Sequence, residues 1–384
     1  MTRREIQIFF NKIYGRLFDM ALSLVYDRQY RKLYVNNKVM PVEITKDDIK
    51  EYKKKWGKLS SKVNPIYLKL FSRYIGKDYN IIPEDIAHSD VESLLNPPAM
   101  RGYFEDKNYF DKILPKEFLP KVYIRRISGF LYDSNYNSID QLDNVALYEL
   151  IRNSSKIVVK VTRDTSSGLG VFFFEKKYNG EWRDCENNNL LTIELLNDLL
   201  GKDYNVQECL VQSEFMSKFS ATSVNTLRIL VYRSVKDNKI HVVNAIMRIG
   251  KDGSLRDNAH QGGAIIGISK EGKLNKFLCD QYGNKFSTFN NINFEKENIY
   301  IENWDKIVDF AMKVHECIIP HRCVNLDVMI DSFGNPKLIE FNIRSMGIWA
   351  YQFNNSACFA EFTDEVIDYC SSHKKEKRSE YLYM

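Results

Sequence analysis

Asn325-Leu326-Asp327-Val328-Met329-Ile330-Asp331, Ser332-Phe333-Gly334-Asn335 and Pro336-Lys337-Leu338-Ile339-Glu340-Phe341-Asn342 are two apolar runs around a short polar turn. That is the pattern of a β-hairpin. If the turn centres between Phe333 and Gly334, Asp327 faces Glu340, and strand alternation places Asn342 on the same face as Glu340. Two carboxylates directly opposite repel. A hard cation relieves the repulsion, and an oxygen-only set suits Mg²⁺. A surface hairpin with its charges on a wet face gives the same alternation, since Asp327 lies between Leu326 and Val328 and Glu340 between Ile339 and Phe341. On these residues alone the two readings are level.

Two further stretches carry chemistry. Lys160 precedes Arg163-Asp164-Thr165-Ser166-Ser167-Gly168-Leu169-Gly170-Val171, a small glycine-containing turn between strands. Its backbone N–H groups can close over phosphates, with Lys160 as the point charge. No Gly-Lys-Ser/Thr opens a helix here, so it is not a Walker motif, and a flexible hairpin loop would read the same way. Val206-Gln207-Glu208-Cys209-Leu210-Val211-Gln212-Ser213-Glu214 is extended. Such a segment can pair its backbone with an adenine edge, and a carboxylate a few residues on can accept ribose hydroxyls. A plain strand has the same appearance.

The chain has 384 residues, 44% apolar and 27% charged, which excludes a disordered polymer and suggests two or three domains. Its net charge of +5, from 55 basic and 50 acidic residues, is too small to mark a nucleic-acid binder. Seven cysteines without a CxxC pair indicate reduced thiols; Cys317 and Cys323 flank His321 but lack a fourth metal ligand. No apolar run is long enough to span a membrane. Near the start, Phe9, Phe10, Ile13, Leu17, Phe18, Leu22 and Val25 recur at one-sided helical spacing. The stretch fits a helix packed on its own domain, or a membrane-surface helix. Residues 1–105 read as mainly helical, with Thr45 capping a polar helix and Asn96-Pro97-Pro98 as a break. Strands follow from Ile157-Val158-Val159-Lys160-Val161 onward: Gly170 to Phe174, Val206 to Gln212, Thr226 to Arg233, Ile240 to Ile249 and Ala264 to Ile268. Helices are expected near 192–200, 303–318 and 358–371. The mixture indicates an α+β or α/β body.

The order of these stretches resembles the ATP-grasp superfamily from Lys107 to about residue 350. It includes Asp106-Lys107, Lys160 before the glycine loop, Glu208 to Val211 with Glu214 behind, and Asp327 with Glu340-Phe341-Asn342. Ser223-Val224-Asn225-Thr226-Leu227-Arg228, Met247-Arg248-Ile249-Gly250 and Asp257-Asn258-Ala259-His260-Gln261-Gly262-Gly263 make it look most like the sugar-transfer-associated and teichuronopeptide-type branches. The resemblance implies an α+β ATP-grasp fold of two lobes, 106–212 and 213–372, after a helical region 1–105 and before a polar tail 373–384. A Rossmann-like substrate domain, common elsewhere in the superfamily, is not evident in the helical 1–105.

The resemblance also implies the roles. ATP would lie between the lobes, with Lys107 and Lys160 on its phosphates and Ser166, Ser167 and Gly168 in the covering loop. Glu208 and Val211 would meet adenine and Glu214 the ribose. Asp327, Glu340 and Asn342 would hold one or two Mg²⁺. Lys112 and Lys121 compete with Lys107 for its assignment. The reaction implied is carboxylate–amine ligation through an acyl phosphate, in which an amino acid or another amine joins a uronic acid or acidic sugar of a bacterial surface polysaccharide such as capsule or O-antigen. Bringing anions together calls for guanidinium groups, for which Arg228, Arg248 and Arg344 are placed. His260 is a candidate for binding substrate or accepting the amine proton. Two alternatives share these residues: a phosphotransferase acting on a hydroxyl, and a nucleotide-binding assembly factor recruited to a membrane through residues 1–30. The expected location is the cytoplasm, including the inner membrane face.

Overall fold

The structure is a computed structural model that describes residues 3–163 and 170–376, except for the side chains of residues 3–8, 11, 12, 16 and 260. The chain divides into two units. One comprises Arg101–Glu214 with Met329–Glu340; the other comprises Met1–Met100, Phe215–Val328 and Phe341–Met384.

The first unit is built on a seven-stranded antiparallel sheet, in the order Ser138–Ile139, Phe130–Asp133, Val122–Ile127, Tyr204–Glu208, Lys156–Val161, Val171–Lys176 and Trp182–Asp184. Ile157, Val159, Phe174, Tyr204 and Val206 point to one face. There they pack on Leu147 and Ile151 and on Leu196 and Leu200 of the helix Ile193–Leu200. Thr192 caps that helix by accepting from the Leu195 amide. Period-two alternation sends Lys160 to the other face. Cross-strand partners share a face, so the register Lys160↔Asn205↔Arg125 aligns a polar row across three strands, and Val158↔Gln207↔Val122 places Gln207 on the same face.

A second seven-stranded sheet runs in the order Lys285–Phe286, Leu274–Cys279, Ala264–Ile268, Ile240–Ile249, Thr226–Arg233, Cys323–Ile330 and Pro336–Asn342; its first five strands belong to the second unit. Every residue of Cys323–Ile330 is buried, as a central strand covered on both faces requires. The N-terminal helices Arg3–Asn36, Lys46–Trp56 and Ile66–Ile75 share this unit's core. Tyr30, Trp56, Tyr67 and Phe71 cluster with Leu230, Tyr232, Ile246, Cys323 and Phe353. The second helix opens with a reciprocal capping box between Thr45 and Asp48.

Several details differ from the sequence reading. The strand expected over Val206 to Gln212 is Tyr204–Glu208, because the next residues leave the ladder. The C-terminal helix is Thr363–Ser372. A helix at Ile348–Asn354, which starts from left-handed Gly347, had no periodic signal. The division of the chain also departs from continuous lobes. The hairpin tip joins the first unit, where the Ser213 amide donates to the Ile330 carbonyl at 2.9 Å and Lys337 Nζ to the Glu117 carbonyl at 2.7 Å. The turn itself is one step off. Asp331 N–H bonds the Asn335 carbonyl and Gly334 N–H the Asp331 carbonyl, both at 2.9 Å, so the turn centres on Phe333. Gly334 has φ 76°, a conformation that suits glycine. Burial along the returning strand then changes phase. Pro336 and Leu338 are buried, Ile339 and Glu340 are both half-buried, and Phe341 and Ile343 are buried again. A bulge produces this kind of change.

Candidate functional site

The first unit holds a cavity of about 270 Å³ whose lining includes Lys107, Lys121, Lys160, Asn205, Gln207 and Glu208. Lys160 is 7% exposed. Burial, then the neighbouring Lys107, pulls its pKa down to about 8, and Glu340 opposes the shift. Lys107 forms an ion pair with Glu340 at 2.9 Å. The backbone places Lys107 through Asp106, which is fully buried, accepts from the Asn108 amide and receives Arg163 Nε at 2.6 Å. The Lys107 amide itself donates to the Thr162 carbonyl at 3.1 Å. Of the competing lysines, Lys112 lies over the Tyr136 ring and Lys121 over the Tyr123 ring.

Glu208 exchanges two bonds with Lys121. Its carboxylate accepts the Lys121 amide at 2.7 Å and its own amide donates to the Lys121 carbonyl at 2.9 Å. One carboxylate oxygen and the amide of Glu208 are thereby used inside the protein. Val211 is 68% exposed and absent from the cavity lining; Glu214 is exposed at the start of a short helix. Ser166, Ser167 and Gly168 lie outside the described residues.

The second unit gathers two carboxylates and two guanidinium groups. The register places Asp327 opposite Arg228, and Thr226 opposite Arg248, on three adjacent strands. Arg228 grips Asp327 with two bonds, both 2.8 Å, the bidentate geometry that suits a planar guanidinium. Arg248 bridges, 3.3 Å from Asp327 and 2.9 Å from Asp257. Burial raises the Asp257 carboxyl pKa, while Arg248 and the Thr226 hydroxyl, which donates to Asp257, hold the rise back. The place of Asp257 follows from the loop returning beside the strand that carries Arg248. Arg344 is half-buried just past the strand end at Asn342. His260 lies in the turn Ala259–Gln261, and its side chain is outside the description.

Of the three expected ligands, Asp327 and Asn342 lie on neighbouring strands and supply a carboxylate and an amide, while Glu340 is the carboxylate paired with Lys107 in the first unit. The Asn342 amide nitrogen is buried and has no hydrogen-bond partner among the described residues, so nothing fixes that amide against turning its oxygen to a ligand. An all-oxygen donor set with one unsatisfied amide fits Mg²⁺. The trio Cys317, His321 and Cys323 forms no metal-binding group among the described residues, and all seven thiols are free.

The class these features belong to is the ATP-grasp class. The model of the sugar-transfer associated ATP-grasp family matches residues 87–366, well over half of the chain, and the chain belongs to that family. Among solved structures, it is similar to the ATP-grasp ligase PsnB complexed with precursor peptide PsnA2 and AMPPNP, at 14% identity and a TM-score of 0.38, covering 72% of this chain and 62% of that one. It is also similar to D-alanine–D-alanine ligase from Bacillus anthracis, at 13% identity and a TM-score of 0.37, covering 72% and 70%. A third is purK, an N5-carboxyaminoimidazole ribonucleotide synthetase in its ADP complex, at 13% and 0.37, covering 63% and 45%. The chain thus spans less than two thirds of the PsnB and purK chains. No curated protein sequence matches it.

Proposed function

We propose that the protein is an ATP-dependent carboxylate–amine ligase that joins an amino acid or another amine to a uronic acid or acidic sugar during assembly of a bacterial surface polysaccharide. The observation that carries the reading is the pairing of two chemistries in one ATP-grasp chain. Lys107 and Lys160 line a cavity in one unit, and Arg228, Arg248 and Asp327 form a charged cluster in the other.

In this reading Lys160 and Lys107 hold the nucleotide phosphates, and the backbone from Glu208 to Val211 meets the adenine. Asp327, Glu340 and Asn342 would hold Mg²⁺, which would supply positive charge against the phosphates. A carboxylate oxygen of the acid attacks the γ-phosphorus and ADP departs, leaving an acyl phosphate. The amine nitrogen attacks the acyl carbon, phosphate leaves, and the nitrogen loses a proton to give the amide. Arg228, Arg248 and Arg344 stabilise the anions brought together, by charge-assisted hydrogen bonds. The test is ADP release from ATP and Mg²⁺ against a matrix of uronic acids and amino acids, with mass spectrometry of positive wells. The expected result needs both an acid and an amine and yields a mass equal to their sum less water. Product that needs one substrate and gains a phosphate would make the protein a phosphotransferase instead.

The N-terminal helix supports a place at the membrane surface. Ser23, Tyr26 and Tyr30 of Arg3–Asn36 turn inward to Asp85, His88 and Glu84. Phe9, Phe10, Ile13, Tyr14, Leu17, Met20, Leu24 and Val25 are exposed, and at 3.6 residues per turn they fall within an arc of about 160° on the other side. No helix among the described residues is long and apolar enough to cross a membrane. The proposed occupant of this face is an anionic bilayer surface at the cytoplasmic side. The full chain should float with anionic liposomes, and Phe10→Ser combined with Leu17→Ser should stay at the bottom of the gradient. Equal flotation of both proteins would remove the helix from this role.

A further inference from the structure

The segment Ile343 to Gly347 follows Asn342, carries Arg344 and lies beyond the end of its strand. It lies past the ladder, yet side chains bind its Ile343 and Met346 peptide groups. Asn96, fully buried, makes one of these bonds and two to the neighbouring strand: its amide nitrogen donates to the carbonyls of Ile343 at 2.7 Å and Cys323 at 2.6 Å, and its oxygen accepts the Cys323 amide at 3.0 Å. One side chain therefore ties the start of the strand bearing Asp327 to the residue that follows Asn342. Glu92 accepts the Met346 amide at 2.6 Å, and Asn325 donates to the Met346 carbonyl at 2.6 Å while Tyr351 donates to Asn325. Ser345 has φ 51° and Gly347 φ 59°, so the path is sharply specified.

Glu92 is itself held. It belongs to a π-helical turn, Ala87–Glu92, within the helix over 84–95; such turns are enriched at functional sites. His88 stands between Glu84 at 3.2 Å and Glu92 at 2.8 Å, with Tyr26 stacked on its ring. Tyr30 donates to the second oxygen of Glu84. Burial opposes the charge on both His88 and Glu92, but their mutual attraction prevails: the His88 pKa is raised and the Glu92 pKa lowered. The ion pair aims the free oxygen of Glu92 at the Met346 amide.

We infer that Glu92 and Asn96 are positioning residues of the site: they fix the backbone on either side of Arg344, so that Asn342 and Arg344 keep their places, and residues 84–96 are part of the functional apparatus. The inference rests on the ligase reading, in which Asn342 and Arg344 serve metal and substrate. A purely architectural role would lower stability without touching the metal. The full-length wild type, Glu92→Ala, Glu92→Gln, Asn96→Asp and Leu70→Ala are therefore compared, the last removing a buried side chain in the helix Ile66–Ile75. Mn²⁺ affinity is read by electron paramagnetic resonance with AMPPNP present, ADP affinity without metal by calorimetry, and Tm by calorimetry, all below every variant's transition. Glu92→Ala and Asn96→Asp should weaken Mn²⁺ binding about tenfold or more, with metal-free ADP affinity within twofold. Glu92→Gln keeps an acceptor for Met346 and should recover most of the loss. Leu70→Ala should lower Tm and leave Mn²⁺ binding unchanged. Wild-type Mn²⁺ affinity in Glu92→Ala and Asn96→Asp, or an equal loss in Leu70→Ala, overturns the inference. If Glu92→Ala does not fold, Asn96→Asp against Glu92→Gln decides by the same readout. If the wild type binds no Mn²⁺ with AMPPNP, the ligase reading itself fails and takes the inference with it.

Discussion

Glutamine in place of Glu340 should lower ADP formation by about 10²–10³-fold, the scale of removing one preorganised charge from a reacting phosphoryl or acyl group, while metal-free ADP affinity holds or rises. The two halves of this expectation come from one geometry. Glu340 is the carboxylate 2.9 Å from Lys107, and it counters the burial and the repulsion from Lys107 that depress the Lys160 pKa. Without it, two nearly buried lysines face each other with less negative charge nearby. A nucleotide phosphate then becomes their better counterion, so the binding of nucleotide alone does not suffer. In the proposed ligase the metal would lose one of two carboxylates, and the stabilisation of charge it would supply would go with it. Lys160→Ala should behave oppositely at the first step, losing nucleotide affinity with and without metal. Steady-state ADP release and calorimetric titration with ADP, each with and without Mg²⁺, separate the two. An E340Q protein with wild-type turnover would remove Glu340 from the metal set.

The hairpin, the strand bearing Lys160 and the strand pair bearing Arg228 and Arg248 were legible because each is a local pattern: alternation, β-branched runs and turn residues. The helical character of the first hundred residues was legible for the same reason. What stayed hidden depends on contacts distant in sequence. Asn96 read as a break before two prolines, yet its side chain bonds Cys323 and Ile343, more than two hundred positions away. Glu92 and His88 lie in a helical stretch with no local motif to mark them. The turn register was misplaced by one because a left-handed glycine at Gly334 adds a residue to one arm, and the later change of phase at Ile339 and Glu340 has no signature in residue type. Glu208 showed its place in an extended segment but not that its carboxylate is tied to the Lys121 amide.

Methionine in place of Arg228 should destabilise the metal-free protein by about 1–3 kcal/mol and make it more dependent on Mg²⁺ than the wild type is. Removing one member of a buried ion pair costs about 3–5 kcal/mol when it leaves the other charge uncompensated. Two features reduce that figure here: the Arg228 side chain is 22% exposed, and Arg248 remains 3.3 Å from Asp327. Methionine keeps much of the apolar stem packing, so the loss reports charge more than volume. A divalent cation on Asp327 would replace the missing positive charge. The Tm gained on adding Mg²⁺ with AMPPNP should therefore be larger in R228M than in the wild type, by the linkage between binding and stability. Turnover should nevertheless stay depressed by about a hundredfold, because in the proposed reaction a metal on Asp327 could not also stand where the guanidinium would stabilise the developing oxyanion. Calorimetric scans of both proteins, with and without Mg²⁺ and AMPPNP, read the difference directly. If the Mg²⁺-dependent gain is equal in the two proteins, Asp327 does not carry the metal, and its two arginines are there to hold the sheet together.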